Sequence, residues 1–159
     1  MYKSPSNLTA EARRDISTAL NERLAAGLDL QLQTKVAHWN VKGPLFPSLH
    51  PLFEQFAVAL AAFNDAVAER AVTLGGVAVG TVRQVAAAST LTELPAGVVR
   101  GLDLVSLLAD RIDAYLAGLR RTRELADGLG DGDTVDLLTQ IVTEFEKNAW
   151  FLRATAEAA

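Results

Sequence analysis

Apolar residues recur every four positions along the first part of the chain, at Ile16, Leu20, Leu24, Leu28, Leu32 and Val36. At about 100° per residue, such a ladder drifts by roughly 40° per step round the helix it predicts, which begins near Thr9 or Ala10. A winding apolar surface suits a helix covered on one flank by its own bundle and on another by a neighbour; deep burial would produce it too. Asn7 or Thr9 is placed to cap the start, and residues 1–8 are expected to form a loose arm. A second helix is expected over residues 48–74, because from Pro51 to Leu74 there is no glycine and no further proline and most residues are good helix formers. The third starts near Pro95 or Ala96 and carries Val98, Leu102, Val105, Leu108, Ile112, Leu116 and Leu119 on a three-and-four pattern. After the glycines at 128, 130 and 132, Asp133 is expected to cap a fourth helix with Leu137, Leu138, Ile141, Phe145, Phe151 and Leu152 available for packing. Gly75, Gly76 and Gly80 end the second helix, and residues 76–95 are too many for a simple turn. A crossover of that length, with a short extra helix at residues 84–88, lets the second and third helices run parallel. The expected fold is an all-α four-helix bundle in one domain over residues 1–159.

Composition changes this picture in one respect. Half of the 159 residues are apolar and only 21% are charged, more apolar than a free-standing bundle needs, which points to buried subunit interface. There is no run long enough for a membrane-spanning helix, and the first fifteen residues lack the apolar core of a signal peptide, so the cytoplasm is the default expectation. With no cysteine there is neither a disulfide nor a thiolate metal site. The net charge of -4 gives no electrostatic support for nucleic acid or anionic membrane as a partner.

The candidate chemistry is concentrated. Both histidines of the chain, His38 and His50, fall within some thirty residues of Glu54, Asp65 and Glu69. On one helix His50, Glu54, Asp65 and Glu69 share an arc of roughly 100°, yet a rise of about 1.5 Å per residue sets Glu54 and Asp65 roughly 16 Å apart. Ligands of one ion must converge within about 2 to 2.5 Å of it, so one copy cannot close a site. The four positions pair symmetrically about a point between Ala59 and Leu60. Packed antiparallel against its own two-fold mate, the helix would bring His50 level with Glu69 of the second copy and Glu54 level with its Asp65. Ala57, Ala59, Ala61 and Ala62 near the centre are small enough for close approach. A solvated polar stripe is the plain alternative. His38 ends the preceding helix, and Gly43, Pro44 and Pro47 turn the chain back so that it can reach His50. Imidazole with carboxylate suits ferrous iron, and zinc or cobalt can use the same ligands.

The run His38-Trp39-Asn40-Val41-Lys42-Gly43, followed after five residues by Leu49-His50-Pro51-Leu52-Phe53-Glu54, resembles the first signature of the Dps family, the DNA-binding proteins from starved cells. Asp65-Ala66-Val67-Ala68-Glu69-Arg70 and Leu74-Gly75-Gly76-Val77-Ala78 resemble the second. The resemblance implies a ferritin-like subunit in a hollow homododecamer with di-iron oxidation sites at its two-fold interfaces. It implies that His38, His50 and Glu54 come from one subunit and Asp65 and Glu69 from its mate, with two irons per site, hydrogen peroxide as the preferred oxidant, and ferric mineral stored inside. Two positions depart from the pattern: many members carry aspartate where Glu54 stands, and an apolar residue where Asn64 stands. In the family, acids at the start of the last helix line a three-fold pore that draws ferrous ions inward, a role for Asp131 and Asp136; acids there also simply favour the helix dipole. Trp39 can act as a trap for stray oxidising equivalents, although a core aromatic is the commoner reason for such a residue, and Trp150 carries the same ambiguity. DNA compaction is the rival function, but residues 1–10 hold one lysine and residues 154–159 hold no base, so DNA binding is expected to be weak or absent.

Overall fold

The computed structural model describes residues 4–157, and among these it contains five helices and no strand. The four long ones are α1 (Ala10–Asn40), α2 (Phe46–Thr73), α4 (Gly101–Gly128) and α5 (Gly132–Glu157); α3 (Val82–Ala88) lies in the connection between α2 and α4. Helix α1 begins where its cap dictates: the Thr9 hydroxyl accepts from the Ala12 N–H at 3.1 Å. Helix α2 starts two residues earlier than the sequence suggests, because Pro47 falls in the first turn, where a missing N–H costs nothing.

Two boundaries differ from expectation for local reasons. Helix α4 begins at Gly101, not near Pro95: Gly97 takes a φ of 81°, and the Val99 carbonyl accepts from the Lys42 N–H at 2.8 Å in a strand-like bridge. The cap of α5 is Asp131, not Asp133, since the Asp131 carboxylate accepts from the Thr134 N–H at 3.1 Å. Of the arm expected over residues 1–8, residues 1–3 lie outside the described residues; Ser4 is buried and its hydroxyl donates to the Thr73 carbonyl at 2.7 Å.

Gly101 lies against Leu45 and Leu49, so the beginnings of α2 and α4 meet; Arg70 joins the end of α2 to the start of α5 through Asp131. The two helices therefore run in the same direction, as the crossover length demands. The core gathers Ile16, Leu20, Leu24 and Leu30 of α1, Phe53 and Leu60 of α2, Leu104, Leu108, Tyr115 and Leu119 of α4, and Leu138, Ile141 and Phe145 of α5. The four-residue ladder of α1 leaves this core part-way: Ile16, Leu20 and Leu24 are buried, whereas Leu32 is 53% and Val36 40% exposed. With Leu28 these two line a groove of about 790 Å³ between α1 and the crossover.

Candidate metal centre

The chain ending α1 and beginning α2 is a tight turn, and its geometry brings the two histidines face to face. Their rings stack at 3.8 Å between centroids, 22° from parallel. Lys42 gives its N–H to Val99, leaving the His38 carbonyl in the last turn of α1 without its helical partner. That carbonyl lies 2.9 Å from His50 Nδ1, and the His50 carbonyl lies 2.7 Å from His38 Nδ1. A carbonyl only accepts, so each ring holds a proton on Nδ1, and its neutral form then presents a bare Nε2 lone pair, the form in which imidazole ligates a metal.

Glu54, one turn after His50, completes the cluster. Its Oε2 is 3.4 Å from His38 Nε2 and 2.5 Å from Lys35 Nζ. The hydrogen bond from Lys35 holds the Glu54 carboxyl below its ordinary range, against the small opposing effect of its partial desolvation. Phe46, at the first position of α2, flanks the His50 ring at 5.0 Å. The sequence reading passed over Lys35 and Phe46; Lys35 stands three residues before His38, a spacing that places both on one flank of α1.

Asp65 and Glu69 do not join this cluster. They are exposed on α2, about four and five turns beyond His50, and among the described residues no group of three or more histidine, cysteine or carboxylate side chains converges on one point as a metal site. Between the two sets, Val58, Ala61 and Ala62 are exposed, while Ala57 is buried and Ala59 half-buried. Within the single chain the two sets of candidate residues thus stay apart along α2.

The remaining candidates are placed as follows. Asp131 is buried and fully engaged: it accepts from Arg70 Nη2 at 2.5 Å and from both the N–H and the hydroxyl of Thr134. This is a capping and pairing role, which leaves it ill suited to the pore expected from the resemblance; Asp136, in the first part of α5, is exposed. Trp39 and Trp150 are 64% and 62% exposed, so neither is the core aromatic that its residue type suggested. Lys35 Nζ stands 5.7 Å from the Trp39 ring centroid.

The chain matches the family description "Ferritin-like domain" over residues 17–158. It is 35% identical over 153 residues to the DNA protection during starvation protein of Agrobacterium fabrum, covering 96% of this chain and 94% of that protein. Among solved structures it is similar to the Dps protein of Vibrio cholerae O1, described as a member of a broad superfamily of ferritin-like diiron-carboxylate proteins, with a TM-score of 0.89, 28% identity and coverage of 97% and 98% of the two chains. DpsC of Streptomyces coelicolor superposes with a TM-score of 0.92 at 33% identity, covering 97% of this chain and 90% of that one.

Proposed function

The chain belongs to the ferritin-like family and, within it, to the Dps proteins, and from that premise we propose that it is a ferroxidase that stores iron. Ferrous iron is the substrate. It is oxidised, preferentially by hydrogen peroxide, at sites closed between two copies of the chain, and kept as ferric mineral inside a homododecameric shell in the cytoplasm. The observation that carries this reading is the division of the candidate ligands: His38, His50 and Glu54 sit together with both Nδ1 atoms tied to main-chain carbonyls, while Asp65 and Glu69 stand apart at positions that a two-fold axis through the middle of α2 would bring opposite them.

The roles follow from the chemistry. Asp65 and Glu69 of a second copy, one turn apart, both reach the same ion, and Glu69 bridges to a second one. His38 and His50 supply neutral nitrogen donors, and the small number of protein ligands leaves positions where oxidant can bind. Two ferrous ions side by side would deliver two electrons to one hydrogen peroxide, which with two protons gives two waters and two ferric ions without release of hydroxyl radical. Zinc can occupy the same ligands without turning over. The groove along Leu28, Leu32 and Val36, and the exposed Val58, Ala61 and Ala62, supply the apolar surface that assembly would bury. Asp136 is the residue best placed to guide ferrous ions inward, and exposed Trp39 next to His38 to intercept stray oxidising equivalents.

Complementation is the direct test. His50→Ala and Asp65→Ala proteins should each lose rapid ferric absorbance after anaerobic ferrous loading and peroxide addition. Co-assembled from the two variants, mixed pairs should recover activity, because one of the two sites then draws His50 from one chain and Asp65 from the other. Failure to recover in assembled mixtures would count against shared sites.

The rival reading, a DNA-compacting shell, finds little support in the charge: the net balance is -4. A gel shift at low salt, independent of iron, would favour it.

A further inference from the structure

The acid nearest the two imidazoles is already held by a cation. Lys35 Nζ lies 2.5 Å from Glu54 Oε2, the same oxygen that stands 3.4 Å from His38 Nε2. The carboxylate oxygen that stands beside the His38 nitrogen is therefore already paired with an ammonium. Lys35 is only partly exposed, with 26% of its side chain accessible, so its geometry is constrained by its surroundings as well as by the pair. On its other side it faces the Trp39 indole, 5.7 Å away, a face on which an ammonium is electrostatically favoured. Lys35 thus stands between two resting places, one of which is a metal ligand.

We propose that Lys35 is the resident counter-cation of the half-site: it holds Glu54 in the metal-free protein, yields it to the second divalent ion, and moves onto the Trp39 face as it does so. This rests on the ligand set of the preceding section. No electron is transferred and the ammonium keeps its proton; one ionic partner of the carboxylate is exchanged for another. The first ion, bound by the histidines and the acids of a second copy, needs no such exchange. The second must displace the ammonium and then tolerate its charge nearby, because the short swing to Trp39 does not take it far. Two ions at adjacent sites are thereby given unequal affinity by a side chain that ligates neither.

Zinc separates binding from turnover. In the assembled full chain carrying Trp150→Phe, so that Trp39 alone emits, calorimetric titration with zinc should resolve a tighter and a weaker class of site, with Trp39 emission changing as the weaker class fills. Lys35→Met should tighten the weaker class by about fivefold and abolish that emission change, while Lys35→Arg restores both. Zinc binding that His50→Ala abolishes but Lys35→Met leaves unchanged overturns this proposal alone. Absence of zinc binding in the parent protein overturns the ligand set and the proposal together.

Discussion

His38 and His50 lock one another: each ring donates from Nδ1 to the backbone carbonyl of the other, at 2.7 and 2.9 Å, with the rings stacked between. Each acceptor is a main-chain oxygen, so a ring can turn only by breaking its own bond and the stack. The orientation of both Nε2 atoms is thus a property of the turn between α1 and α2, set before any ion arrives.

Nitrogen NMR of the metal-free protein at pH 8 should therefore show both imidazoles protonated at Nδ1. Free imidazole side chains favour the other tautomer, so a dominant Nε2–H signal from either ring would contradict the clasp. His38→Ala keeps the main-chain carbonyl that accepts from His50 Nδ1, so the remaining histidine should stay protonated at Nδ1 although it loses the stacked ring.

Glu54 titrates below its ordinary range because Lys35 donates to it. A carboxyl depressed in the folded state stabilises the protein above its unfolded pKa, and that contribution is lost as pH falls through the depressed folded value. Lys35→Met should raise the Glu54 pKa toward the ordinary value, read from its side-chain carbon shift, and should flatten this part of the acid-side stability curve. An unchanged Glu54 titration would show that the pair is not maintained in solution.

Asp131 closes the α4–α5 turn as cap and as partner of Arg70, with almost no exposure. Asp131→Ala removes the cap and leaves the guanidinium of Arg70, itself only 17% exposed, without its main partner. A loss of about 2 to 4 kcal/mol is expected in denaturant unfolding. Asp133→Ala, at a side chain 90% exposed and 3.9 Å from Arg70, should cost about 0.5 kcal/mol or less.

Gly27 is required by a close approach. A Cβ there would stand 2.1 Å from Asn64 Oδ1 and 3.2 Å from the Tyr115 hydroxyl, and both side chains are buried. Asn64 is further tethered by donation from its Nδ2 to Gln31 Oε1. Gly27→Ala should destabilise by about 1 to 3 kcal/mol through overpacking, measured by thermal unfolding. Gly128→Ala, with nothing within 4 Å of its Cβ, should change stability by about 0.5 kcal/mol at most.

The four long helices, the crossover and the start of α1 at its Thr9 cap were legible in the chain because each depends on short-range periodicity or a local capping bond. The exposed tryptophans were not: residue type alone points Trp39 and Trp150 inward, whereas the direction of each side chain is decided by which face of its helix the other three leave uncovered. The start of α4 was misplaced because Pro95 looks like a helix opening, and only the long-range bond from Lys42 to Val99 shows that the chain is still extended there.

Sequence by itself determined that the two groups of candidate residues, His50 with Glu54 and Asp65 with Glu69, cannot meet within one helix, since helical rise is fixed by backbone geometry. It also determined the all-helical fold and its parallel second and third long helices, through the length of the crossover. Tertiary structure alone decided how His38 and His50 are held, that Lys35 occupies Glu54, and that Asp131 turns inward as a cap. These are contacts between residues 12 to 61 positions apart, and their distances depend on how helices pack rather than on the order of residues along any one of them.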